Sequence, residues 1–222
     1  MIPVYIITFN RLSSTQPMVE FLQRTGSHPI IVDNNSTYEP LLEWYESDPC
    51  EIVRLPENGG HLSAWWSQTI RPHAEHVERW GVPYYVVTDC DLDLSVCDDG
   101  WKERLVSGLD RYSVNMAGLS LRLFDLPLNE TGESVRNWED RFWRHKLDDG
   151  WWMSEIDTTF AMYRSDTMHL AAMKTIPAIR SDPPYECRHL PWYAGEPSEE
   201  DVYYARTVAP GESHWTGFIK SR

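Results

Sequence analysis

Positive charge is scarce in this sequence. Lysine and arginine together number 20 against 34 aspartates and glutamates, a formal net charge of −14. Binding to a nucleic-acid backbone depends on basic patches that displace counterions, so this balance argues against nucleic acid as a partner. It also disfavours unaided adsorption to anionic membranes. A phosphorylated ligand remains compatible, provided that a metal reverses the local sign. Cysteine is sparse as well: Cys50, Cys90, Cys97 and Cys187 show no CxxC pairing, which removes the usual spacing of a structural zinc site. No apolar run approaches transmembrane length. Met1-Ile2-Pro3-Val4 enters a strand directly, with neither a basic n-region nor a long apolar h-region. Repeats, linkers and low-complexity tracts are missing too. These absences predict a reducing, cytoplasmic setting, with any membrane contact peripheral and made through an acceptor or partner.

What is present is a globular composition, 41% hydrophobic, with 11 Trp and 11 Tyr in 222 residues. That length predicts one domain with a sizeable core. Strand and helix signals alternate through the first hundred or so residues. Val4 to Ile7 reads as a buried strand ending in the polar turn Thr8-Phe9-Asn10-Arg11, followed by a helix that Gly26 is placed to stop. Pro29 to Val32 forms a second strand that breaks into Asp33-Asn34-Asn35-Ser36, and Ser36 with Glu39 makes a capping-box pattern. Glu51 to Leu55 leads to Asn58-Gly59-Gly60 and a helix containing Trp65 and Trp66. A helix from about Asp99 to Arg111, a strand from Val114 to Leu123, a helix from Asn137 to Lys146 and a strand from Ile156 to Tyr163 follow. The last stretch is Pro-rich and predicts an irregular wrap over the site. Strands alternating with helices predict an α/β fold, a mostly parallel sheet covered on both faces. Ligands on such sheets bind outside the carboxyl ends of the strands.

The fourth strand carries the strongest signal. Tyr84-Tyr85-Val86-Val87-Thr88 runs into Asp89, Asp91 and Asp93, carboxylates at alternate positions where the strand should leave the sheet. Crowded carboxylates repel one another, and a divalent Mg²⁺ or Mn²⁺ removes that cost while also suiting a diphosphate.

In this order the features resemble the nucleotide-sugar-dependent glycosyltransferases of the GT-A fold, in particular small relatives of glycosyltransferase family 2. The resemblance runs from Val4 to about Asp93, and resumes at Asp157 to Arg164 and at Arg188 to Tyr193. It implies a three-layer α/β/α sandwich with a Rossmann-like nucleotide-binding half, about 1–95, an acceptor-binding half, about 96–222, and an irregular C-terminal cap. It further implies nucleotide-sugar contacts at Thr8, Phe9, Asn10 and Arg11, at Asp33, and at Asn58, Gly59 and Gly60. Asp89 and Asp91 match the family's DxD motif, with Asp91-Leu92-Asp93 as a second register. Asp91 is then the direct metal ligand, Asp89 bonds ribose or metal, and Asp93 is a turn residue. A late-chain histidine serves many of these enzymes as a further ligand, which points to His189 or His214.

Transfer of a sugar also needs a base and walls that exclude water. Asp157, a carboxylate at the start of an apolar strand, is partly desolvated and so fits the base; Glu155, on the same strand face, is the second choice. The resemblance implies an inverting single displacement. Arg180 and Arg188 could neutralise the diphosphate, and Trp151 and Trp152 could form an acceptor platform or pack a loop. The acceptor could be a glycan, a glycolipid or a glycoprotein. Three other readings compete: a nucleotidyltransferase, disfavoured because the loop Thr8 to Ser13 has no glycine; a metal-dependent phosphohydrolase; and an inactive sugar-binding module.

Overall fold

The computed structural model of the chain describes residues 1–70, 73–148, 150–156, 159–165 and 177–209. Asp157 and His214 lie outside the described residues, so the candidate base and the alternative histidine ligand have no structural description.

The first half follows the alternation read from the sequence: β1 (Pro3–Thr8), α1 (Leu12–Arg24), β2 (His28–Asp33), α2 (Glu39–Tyr45), β3 (Glu51–Arg54), α3 (Ser63–Trp66), α4 (His73–Trp80) and β4 (Tyr84–Asp89). Next come β5 (Leu92–Asp93), α5 (Trp101–Tyr112), β6 (Met116–Gly118), β7 (Ser120–Leu121), α6 (Glu130–Glu139) and β8 (Trp151–Met153). The last elements are β9 (Ala161–Arg164), β10 (Ala178–Ser181), β11 (Glu186–His189) and α7 (Glu199–Thr207). Eight strands form one sheet in the order β3-β2-β1-β4-β9-β6-β10-β8. β1 to β4 are mutually parallel, β9 runs antiparallel between β4 and β6, β10 is parallel to β6, and β8 closes the edge antiparallel. A small second sheet, β5-β11-β7, stands beside the end of β4.

Successive side chains of a strand point to opposite faces, and here each face has its own core. Val4 and Ile6 of β1 pack with Met18, Leu22, Trp101 and Leu105 from α1 and α5. Tyr5 and Ile7 pack with Ala64, Ile70, Tyr85 and Val87 on the other side. Strands covered on both faces must be apolar on both, which is why β1, β2 and β4 read as unbroken apolar runs. The result is the three-layer α/β/α sandwich with a mostly parallel sheet expected from the sequence. Gly26, at φ +72°, follows the end of α1 as expected, since its left-handed backbone costs little without a Cβ.

Several local expectations are corrected. Ser36 does not cap α2, whose N-cap is Tyr38; the Ser36 hydroxyl instead accepts the Asn10 N–H at 2.9 Å. The strand expected from Val114 to Leu123 is divided at Leu119 between β6 in the large sheet and β7 in the small one. The helix expected from Asn137 to Lys146 lies earlier, as α6, and tightens into a 3-10 turn over Asp140–Trp143. The C-terminal region is not irregular throughout: it supplies β10 to the central sheet, β11 to the small one, and α7, which begins with a Ser198–Asp201 capping box.

Candidate functional site

Strand register brings the expected turns to one edge. Thr8 sits opposite Asp33, Ile7 opposite Asp89, and Asp33 opposite Arg54, so β1, β2, β3 and β4 end together. Asn10 locks the first two turns. Its φ of +52° is a left-handed conformation that asparagine tolerates, and its Oδ1 accepts the N–H groups of Thr37 at 2.7 Å and Tyr38 at 2.9 Å. Asn34 joins the second turn to the third, accepting the Gly59 N–H at 3.3 Å and donating to the Gly60 carbonyl at 3.2 Å. Asn58 accepts the Gly60 N–H at 2.9 Å. Gly60 lies at φ +69° with nothing within 4 Å of where a Cβ would stand, so this turn faces open space.

Asp33 is fully buried. Its carboxylate accepts from the Ser36 N–H, from Tyr45 Oη at 3.4 Å and from Arg54 Nε at 3.0 Å. Arg54 is the partner in that pair that reaches solvent. Sequence reasoning passed over it, although its place one strand across from Asp33 follows once the parallel register is known.

The β1–α1 turn lies under α7, so the C-terminal wrap expected over the site is helical here. Arg11 pairs with Asp201 and stacks 4.1 Å from the Tyr204 ring centroid, and Phe9 meets the same ring edge-on at 6.1 Å. The Asn10 amide donates to Thr207 Oγ1 at 2.9 Å. Glu200 is buried, and its carboxylate accepts the N–H groups of Leu12 at 2.8 Å and Ser13 at 3.0 Å and the Ser13 hydroxyl at 2.6 Å. The first turn of α1 contains no acidic residue, so a carboxylate from α7 supplies the acceptor that its N-terminus needs. Thr8 and the Asn10 side chain are likewise buried and bonded within the chain.

The Asp cluster divides. Asp89 closes β4, half-buried. Asp93 accepts the Ser95 N–H at 2.8 Å and pairs with Arg188 at 3.1 Å, the turn role expected of it. Asp91 turns towards β11, where its carboxylate is 3.4 Å from His189 Nε2, while its carbonyl accepts the Leu190 N–H at 2.9 Å. Burial pushes the Asp91 carboxyl up, but the neighbouring His189 imidazole and Arg11 outweigh it and hold the group below the ordinary aspartate range. Its second oxygen, Oδ1, is buried without a hydrogen-bond partner. Cys90, between Asp89 and Asp91, has its thiol pushed up to about 12 by burial and the adjacent carboxylates, so it is protonated and no nucleophile at neutral pH.

An orphaned carboxylate oxygen beside an imidazole nitrogen suits Mg²⁺ or Mn²⁺. Among the described residues no three His, Cys, Asp or Glu side chains form a ready metal-holding group. Asp89, Asp91 and His189 are therefore not gathered into a preformed triad. A cation here would complete its shell from phosphate oxygens and water, as Mg²⁺ commonly does.

In the half expected to bind an acceptor, β8 leads through Ser154 to Glu155, an exposed residue whose carbonyl accepts Arg180 Nε at 2.7 Å. Arg180 is itself buried, pairs with Glu139 at 3.1 Å and stacks 4.1 Å from the Phe142 ring centroid. Arg188 bonds Asp125 through Nε at 2.9 Å and Nη2 at 2.6 Å, besides Asp93. Both arginines are thus engaged within the protein. Trp151 corrects an expectation: it is 1% exposed, packed on Gly108 and Tyr112, and offers no face to an acceptor. Trp152 points the other way, as the next residue of a strand must. It meets Trp143 at 5.2 Å, and its indole N–H donates to Asp182.

No helix among the described residues is long and apolar enough to cross a membrane. No protein-family model and no curated protein matches the chain. Among solved structures it is similar to a 4-diphosphocytidyl-2C-methyl-D-erythritol synthase, at 10% identity and TM-score 0.46 over 92% of this chain and 96% of that one. It is also similar to a mannose-1-phosphate geranyltransferase from Thermus thermophilus, at 13% identity and TM-score 0.43 over 97% of this chain and 67% of that one. A mouse xyloside xylosyltransferase 1 in its apo form aligns at 6% identity and TM-score 0.33 over 78% of this chain and 70% of that one. Likenesses this distant assign no activity, and the functional reading rests on the site.

Proposed function

We propose that this chain is a glycosyltransferase that moves a sugar from a nucleotide-diphosphate donor to an acceptor hydroxyl. The observation that carries the reading is Asp91: a carboxylate leaving the carboxyl end of β4, with one oxygen orphaned and the other against His189, on the edge where β1, β2 and β3 also end. Asp91 and His189 would hold Mg²⁺ or Mn²⁺, with Asp89 bonding ribose or metal. Such a cation, when bound, supplies the positive charge that a departing diphosphate requires. In a chain of net charge −14 that local sign change is a condition for binding the donor at all.

The nucleotide would lie along the turns of Thr8 to Arg11, Asp33 and Asn58 to Gly60. Because Asn10 and Asp33 are bonded internally, they shape this wall, and Arg54 presents the accessible charge beside the open face of Gly60. Asp157, just beyond Glu155, would take the acceptor proton in an inverting displacement, with Glu155 as the alternative base. Arg180 holds the Glu155 carbonyl, so it positions the approach to that segment.

Thermal-shift measurements test the donor half: a nucleoside diphosphate should raise the melting temperature with Mn²⁺ and not with chelator, and Asp91→Asn should remove the effect. Equal stabilisation in chelator would overturn the metal assignment. Asp157→Asn should keep the shift and abolish both sugar transfer to the acceptor and the acceptor-dependent release of nucleoside diphosphate; surviving turnover would exclude Asp157 as base. Pyrophosphate release from a nucleoside triphosphate and a sugar 1-phosphate would replace this reading with nucleotidyl transfer.

A further inference from the structure

The segment from Arg136 to Lys146 reverses the charge balance of the chain. It carries Arg136, Arg141, Arg144 and Lys146 against Glu139 and Asp140, and it interleaves them with Trp138, Phe142 and Trp143. The fold turns this into a surface. Glu139 is withdrawn from it, buried against Arg180. Trp138 is left 56% exposed. Arg141 lies 3.5 Å from the Trp138 ring centroid and 4.5 Å from that of Phe142, and it makes no ion pair among the described residues. The next strand over adds Trp152, with Trp143 against its edge and Lys146 Nζ 5.1 Å from its ring centroid, where Lys146 also pairs with Asp182 at 3.4 Å. Aromatic planes suit the apolar faces of sugar rings, and a guanidinium spread over indole is set to meet a carboxylate or sulfate in bidentate fashion.

The surface is also joined to the proposed acceptor side. Phe142 touches Arg180, whose Nε–H holds the carbonyl of Glu155, and β8 itself runs on to Ser154 and Glu155. Resting on the glycosyltransferase reading, we propose that the acceptor is an anionic saccharide chain, carried across Trp138, Arg141, Lys146 and Trp152. Within the strip Asp140 and Asp182 are already paired with Arg144 and Lys146, so Arg141 supplies the charge that an anionic chain meets, and the strip fixes where the acceptor lies.

The test is direct binding, by calorimetry at low and moderate salt, of an oligouronate tetramer, a sulfated tetrasaccharide and a neutral tetrasaccharide of equal length. The anionic chains should bind at least about 10-fold more tightly than the neutral one and weaken as salt rises. Arg141→Gln and Trp138→Ala should each weaken them about 10-fold, while leaving the melting temperature and the Mn²⁺-dependent nucleotide shift unchanged. Equal binding of charged and neutral chains, no binding of either, or indifference to Arg141→Gln would overturn the proposal. So would charge-dependent binding to vesicles containing anionic lipid without binding of the anionic oligosaccharides, which would make the strip a membrane contact. The nucleotide shift is read separately, so loss of the donor reading and loss of the acceptor reading give different results.

Discussion

Trp151 and Trp152 show how much one position along a strand decides. The two are neighbours and chemically identical, yet one is core and the other lines a surface, because successive residues of β8 face opposite ways. Trp151 is accommodated by Gly108 in α5: a Cβ at that position would stand 2.5 Å from the Trp151 ring and 2.9 Å from Ile179 Cδ1. Both neighbours are buried, so relief requires the core to shift. Gly108→Ala should therefore destabilise despite the better helix propensity of alanine, the overpacking cost of about 1–3 kcal/mol outweighing the gain of about 1 kcal/mol. At this chain length a fall of a few degrees in melting temperature is expected. Gly195→Ala, with nothing within 4 Å of the added Cβ, is the matched control and should leave the melting temperature in place. A Gly108→Ala protein melting at or above wild type would show that this packing is loose. The aromatic character of the pair was legible in the sequence. Which ring is buried was not, because that depends on where β8 pairs with β10.

Among the elements, α7 is the one whose placement matters most. Its capping box was present in the sequence as Ser198-Glu199-Glu200-Asp201, but a helix start does not say where the helix docks. Docked, it delivers Glu200 to the bare N-terminus of α1, across 188 residues of chain. Hydrogen bonds to a charged acceptor contribute about 1.5–3 kcal/mol each at most, and leaving buried donors unmet costs more than the mean bond supplies. Glu200→Ala should thus lower the denaturation midpoint by more than Glu200→Gln, which keeps one acceptor oxygen. If the two variants unfold alike at wild-type denaturant concentration, the cap contributes nothing. The early helices and strands were legible because apolar periodicity and Gly26 are local signals. The split between β6 and β7 was not, since both halves of that apolar run are buried and only their partner strands differ.

For the whole molecule, acid stability follows from the ion pairs that tie distant segments together. Burial pushes Asp201 up, but hydrogen bonds from Arg11 and Ser198 outweigh it, and its folded pKa is lowered. Asp125 is lowered likewise, burial being offset by Arg188 and Tyr193. A carboxyl lowered on folding contributes stability that is fully present above its unfolded value, 3.8, and is lost as pH falls through its folded value. The melting temperature should hold from neutrality to about pH 5 and then fall as these pairs protonate. Arg188→Gln should lower the plateau and flatten the fall, because Asp125 then titrates nearer its ordinary value. An unchanged slope in that variant would remove Asp125 from the account.

The α/β class, the covered parallel strands and the strand-end carboxylates are all local in origin: apolar period, turn residues and charge act within a few positions of one another, so they can be read along the chain. What Asp91 and Asp93 each pair with is not local. It depends on β11 arriving beside β5 from nearly a hundred residues away, which sets His189 against Asp91 and Arg188 against Asp93. The same holds for the internal satisfaction of Asn10 and Asp33 and for the basic, aromatic strip at Trp138 and Arg141. Pairing between remote strands carries little trace in either strand alone, because the hydrogen bonds that make it are backbone bonds common to every residue.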